Sequence, residues 1–289
     1  MDVKADETSR PVQRAGPWPF INFRNYFIGR HHIVLRARWH RKGLIRGLLE
    51  AGLVPRGDVP FWQTQFYNWC VGALFAFGSL LFILGSALSL VPAGPQTPSS
   101  FSINVMYFMG SIPFTMAGYL QHLQSANLTH DTPDPGAVPV RRRLYLISWH
   151  PRNAGWVSTF TQFLGTLAFN ISTWNGVMAP LGWVAQDLQI WLPDLIGSIL
   201  FLMSGYLAFL ETSGRYWSWE PEELDWQIVS INLMGCVAFM ISAVLAYVPD
   251  GGQSWGVVAW EDITLLVGAM CFCIGGVLTS YESEAAAPG

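Results

Sequence analysis

Apolar residues fall along this chain in long runs rather than in the alternating or one-sided patterns of a water-facing fold. A helix needs about 20 mostly apolar residues to cross the hydrocarbon core of a bilayer. Six stretches qualify, at roughly 66–91, 105–123, 157–178, 191–210, 227–248 and 263–281, and none carries Lys, Arg or Glu in its interior. Polar segments separate them near 92–104, 124–156, 179–190, 211–226 and 249–262. The expected fold class is therefore all-α, a polytopic membrane protein of six transmembrane helices. The first 60 residues contain no apolar core of signal-peptide length, so the first span is expected to insert with its N-terminal flank inside.

Charge fixes the expected orientation. The chain has 16 Lys and Arg among 289 residues, and they are not spread evenly. Eleven precede the first span, Arg141, Arg142, Arg143 and Arg152 lie between the second and third, and Arg215 lies between the fourth and fifth. All fall on one side of the membrane in a six-span arrangement, which places both termini in the cytoplasm of a cell with a cytoplasmic (inner) membrane. The outer segments hold only acids: Asp187, Asp194, Asp250, Glu261 and Asp262.

The spans pair into three hairpins with similar sequences, expected over 62–124, 156–212 and 226–282. In the entering helices Trp62, Trp156 and Trp226 are each followed six residues on by an amide, Asn68, Gln162 or Asn232. Gly72 with Phe75, Gly165 with Phe169 and Gly235 with Phe239 follow. The returning helices read Gly110-Ser111-Ile112-Pro113-Phe114, Gly197-Ser198-Ile199-Leu200-Phe201 and Gly268-Ala269-Met270-Cys271-Phe272. Second glycines, Gly118, Gly205 and Gly276, come eight residues after the first, and the hairpins end at Gln124, Glu211 and Glu282. Glycines eight apart share one helical face, so these six are expected to be helix-packing positions. The three amides are expected at one depth, as a polar ring within the membrane.

Gly110-Ser111 with Phe114, Gly197-Ser198 with Phe201, and Phe77-Gly78-Ser79-Leu80-Leu81-Phe82 with Gly85-Ser86 resemble the YrhK-type membrane hairpin of uncharacterised bacterial proteins. The likeness covers most of residues 62–282, and the third hairpin departs from it with Ala269 in place of Ser. The resemblance implies a bacterial-type integral membrane protein and transfers no activity.

Outside the hairpins the chain divides into a cytoplasmic arm (1–61), a basic linker (125–155), an acidic loop (213–225) and a short tail (283–289). Residues 1–19 read as unstructured. His31 to Val54 reads as a basic amphipathic helix, with Trp39, Leu44, Ile45, Leu48, Leu49 and Leu53 on an apolar stripe. Arg36, Arg38, Arg41, Lys42 and Arg46 would face anionic lipid headgroups, and the same helix could take a protein partner at the cytoplasmic face.

Composition narrows the function. Hydrophobic residues make up 51% and charged residues 12%, about half the usual share, which excludes a disordered chain, collagen and nucleic-acid binding and argues against a soluble enzyme. No phosphate-binding glycine loop, HExxH or Gly-x-Ser-x-Gly motif is present. The six His lie on the arm side and the four Cys lie within spans without chelating spacing, so neither a metal nor another cofactor is expected. The expectation is a non-catalytic structural or interaction protein of the membrane, the alternative a small-solute permease or channel with an amide-lined path.

Overall fold

The computed structural model describes residues 13–20, 23–28, 31–43, 60–92, 94, 98–127 and 144–285. Its body is helical. Six long helices follow the arm: α2 (Gln65–Ser89), α3 (Ser100–Ala126), α4 (Ala154–Met178), α5 (Trp183–Ser213, with a π-helical turn at Asp187–Trp191), α6 (Leu224–Leu245) and α7 (Trp255–Ala285). Local chemistry starts three of them. Thr64, Ser99 and Asn153 are extended residues whose side chains accept the otherwise unpaired N–H groups of Tyr67, Ser102 and Trp156. Gly214, at φ +65°, ends α5.

Four of the six, α2, α5, α6 and α7, are long and apolar enough to cross a membrane. The other two are as long, 27 and 25 residues, but carry more hydroxyls and amides. Many of these polar groups bond within the helix pair. Thr115, Thr161, Thr166 and Thr173 donate to carbonyls of their own helices, and the Asn170 amide donates across to Thr115 Oγ1 at 2.8 Å.

Each long helix packs against its neighbours in the chain, and α7 returns to pack against α2, so the six form a closed ring. Two sets of glycine contacts build it. Gly110, Gly197 and Gly268 lie against the carbonyls of Gly78, Gly165 and Gly235; a Cβ at the three positions would stand 3.0, 3.2 and 3.1 Å from those oxygens. These contacts join α2 to α3, α4 to α5 and α6 to α7. Gly118, Gly205 and Gly276 face the next pair instead: Thr166 on α4, Cys236 on α6, and the Gly72 carbonyl with Ala76 N on α2. Small residues let helix backbones approach closely enough for dispersion and polar contacts to hold them together.

On the axis, Phe114, Phe201 and Phe272 meet one another with ring centroids 5.7–6.5 Å apart. Phe239 stacks above them, 6.4 Å from Phe82 and 6.0 Å from Phe169. The contacts make Gly78 and Phe82 the counterparts of Gly165 and Phe169. The sequence alignment through Gly72 and Phe75 is therefore displaced in the first hairpin; glycines recur along α2, and only the packing separates them.

The arm departs from the all-helical expectation. Gln13–Ala15 (β1), Phe23–Ile28 (β2) and His31–Arg36 (β3) form an antiparallel sheet in that order, with Phe23 opposite Arg36 and Ile28 opposite His31. Among the described residues, the expected helix from His31 to Val54 appears as α1 (Ala37–Lys42): the β-branched Ile33-Val34 run pairs with β2 instead, and Gly43, at φ +73°, follows the helix. Residues 44–59, with Arg46 and the Leu stripe, lie outside the described residues.

Candidate functional site: a plugged mouth and a central cavity

The ring has a polar end on the arm side. The hairpin ends Gln124, Glu211 and Glu282 converge there, and each is at most 6% exposed. α1 sits among them and reaches all six long helices. Lys42 O accepts from the Asn68 amide of α2 at 2.8 Å, and Arg41 Nη1 donates to Ser125 Oγ of α3 at 3.4 Å. Arg41 also crowds Gly155 of α4, where any Cβ would overlap the guanidinium, and pairs with Glu211 of α5 at 2.9 Å. Trp39 donates to Asp225 of α6, and Arg38 and Lys42 both pair with Glu282 of α7, at 3.3 and 2.5 Å.

Three cations thus face three carboxylates: Arg38, Arg41 and Lys42 against Asp225, Glu211 and Glu282. All six are buried. Burial and the neighbouring Arg38 pull the Lys42 ammonium down to about 8, a fall that Glu282 limits, so Lys42 remains mostly charged at neutral pH. Glu282, Asp225 and Glu211 outweigh burial at Arg38 and hold its guanidinium firmly protonated. A buried ion-pair set gains little net stability after desolvation, but it fixes one geometry, because losing a single partner strands a charge.

This corrects the lipid-facing reading for three of the five basic residues of the arm. Arg38, Arg41 and Lys42 point into the bundle end, where the carboxylates offset their charge. Arg36 ends β3, and Arg46 lies outside the described residues. Asp225, grouped by sequence with the acidic loop, belongs to this site, whereas Glu220, Glu222 and Glu223 stay exposed.

The structure also separates the three amides. Asn68 lies ten residues, about 15 Å of helix rise, to the arm side of Gly78, whereas Gln162 and Asn232 lie three residues from Gly165 and Gly235. Asn68 accepts from Gln124 Nε2 at 2.8 Å, and Asn232 packs against Gly275 of α7. Among the described residues no hydrogen bond links the three, so they form no ring.

On the other side of the phenylalanine layer, a cavity of about 250 Å³ opens toward the far end, and every long helix contributes to its wall. Phe114 lies at its floor, and hydroxyls of Ser111, Thr173, Ser198 and Ser242 line its sides with Asn104, Asp194 and Glu261. Among the described residues no Lys, Arg or His lines it. Among the described residues no group of three His, Cys, Asp or Glu side chains could hold a metal. Along the axis the order is a cavity of mixed apolar and polar wall, aromatic floor, then charged plug. No family model matches the chain, and neither a curated protein nor a solved structure resembles it.

Proposed function

We propose that the protein is a membrane permease for a small solute, with no catalytic step. Its six long helices all cross the cytoplasmic membrane as three copies of one hairpin, with α1 and both termini on the cytoplasmic side. The observation that carries the reading is the central cavity, open at the end away from the arm, walled by all six helices and stopped at mid-depth by Phe114, Phe201 and Phe272. A purely structural bundle has no need of an open space on its axis.

The outward faces support six crossings. α3 and α4 turn Phe101, Met109, Met116, Leu164, Ile171 and Trp174 outward and keep Ser111, His122, Gln124, Ser158 and Thr166 inside. That is the reverse of a helix facing water, and in lipid it costs nothing. The three equivalent glycine contacts, repeated from hairpin to hairpin, support a common unit, in keeping with the YrhK-type likeness of the returning helices. The arrangement corresponds to a state closed toward the cytoplasm by α1 and open outward. The arm as a lipid anchor draws less support, because three of its five basic residues are engaged inside the bundle.

Reconstitution tests the reading. Proteoliposomes exposed to a panel of small solutes (glycerol, urea, methylammonium) should show protein-dependent entry of at least one. Thr173→Trp, which fills the cavity, should abolish it. Entry of none, with folded protein in the membrane, contradicts the permease.

A further inference from the structure

The two ends of the ring treat their carboxylates differently. At the arm end the buried acids Asp225, Glu211 and Glu282 each have a cation. In the cavity, Asp194 and Glu261 both line the wall, and among the described residues neither forms an ion pair. Asp262, beside Glu261, is 7% exposed and already held by Ser89 Oγ at 2.7 Å and the Tyr107 hydroxyl at 3.5 Å. A carboxylate confined in such a wall without a counter-charge is costly to ionise, and a bound cation offsets that cost.

The rest of the wall narrows the kind of cation. The space is far larger than a dehydrated metal ion needs, and among the described residues no third His, Cys, Asp or Glu joins the two acids to hold one. Rings of Phe82, Tyr107, Phe169, Trp191 and Phe239 line much of the rest of the wall, beside the aliphatic Ile190, Val248 and Leu265. Aromatic faces attract ammonium groups through their quadrupole and pack well against carbon substituents. Hydroxyls of Ser111 and Thr173, 3.2 Å apart, add hydrogen-bonding groups to a wall that carries both carboxylates and aromatic rings.

We propose that the cavity binds a small organic cation, an ammonium group with apolar substituents, its charge held between Asp194 and Glu261 and its carbon surface against the rings. This rests on the permease reading and names its solute class.

The probe is tetramethylammonium, added to the purified full-length protein in detergent. The melting temperature should rise saturably with tetramethylammonium chloride and not with sodium chloride or the neutral 2,2-dimethylpropanol of similar size. Asp194→Asn with Glu261→Gln should remove the rise, while Glu220→Gln, on the exposed arm-side loop, should keep it. Should the double variant fail to fold, protection of a Thr173→Cys thiol from a cationic thiol reagent by tetramethylammonium gives the same answer in an otherwise native cavity. No rise and no protection, an equal rise with the alcohol, or a rise that survives the double substitution overturns the proposal. Solute entry into proteoliposomes together with any of those results overturns only the cation and leaves the permease standing. Absence of entry for every solute overturns the permease itself.

Discussion

Arg41 Nη2 lies 2.9 Å from Glu211 Oε2, although 170 residues separate the two, and the side chains are 8% and 1% exposed. The pair ties the polar arm to the end of α5. Replacing Glu211 with Ala strands the guanidinium in a buried site, which costs about 3–5 kcal/mol. Glu211→Ala should therefore lower the melting temperature in detergent and speed tryptic cleavage after Arg41, which is shielded in the intact site. Arg41→Met with Glu211→Met should recover most of the stability, since a well-packed apolar pair is close to neutral. A double variant as unstable as the single one would show that the charges themselves are required.

Ring closure depends on α7 meeting α2. A Cβ at Gly276 would stand 2.8 Å from both Ala76 N and the Gly72 carbonyl, and backbone cannot move aside as a side chain can. At Gly118 the nearest atom to a Cβ is 3.5 Å away, on the Thr166 side chain. Gly276→Ala should thus lose far more stability than Gly118→Ala, and thermal unfolding of the two variants side by side decides it. Equal losses would mean that α7 and α2 are not in close backbone contact.

Phe201 is 1% exposed and touches Phe114, Phe169, Phe239 and Phe272. Phe201→Ala should cost about 3–5 kcal/mol as a core truncation and also breach the cavity floor. The expected pair of results is a lower melting temperature with faster solute entry in proteoliposomes. Unchanged entry would place the barrier elsewhere on the axis.

The helical body was legible because long apolar runs mark it: each of the six predicted stretches overlaps one of α2 to α7, although 66–91 and 227–248 run past the helix ends at Ser89 and Leu245, and four of these helices are long and apolar enough to cross a membrane. The returning-helix glycines could be found for a related reason: Gly110, Gly197 and Gly268 sit in the same pentapeptide frame. The register of the first entering helix was not. Gly72, Gly78 and Gly85 all recur along α2, and choosing among them needs the partner helix. The polar ring failed with it, since Asn68 was aligned through the wrong glycine. The arm misled for a different reason. A basic segment beside spans reads as headgroup-facing, and its partners, Glu211 and Glu282, stand at the far ends of hairpins, so nothing local marks the pairing. Asp194 and Glu261 were read as outer acids, but only the closed ring places them on a shared cavity.

The central claim is a space on the axis of six crossing helices, reachable by water from the side opposite the arm. In a protein with its four cysteines replaced, single cysteines at Thr173 and Leu164 test it directly. Thr173 lines the cavity, and Leu164, on the same helix, is 37% exposed on the outer surface, which would face lipid. A membrane-impermeant trimethylammonium thiosulfonate applied outside intact cells should modify Thr173→Cys and spare Leu164→Cys. Modification of neither, or of both at equal rates, would contradict the account.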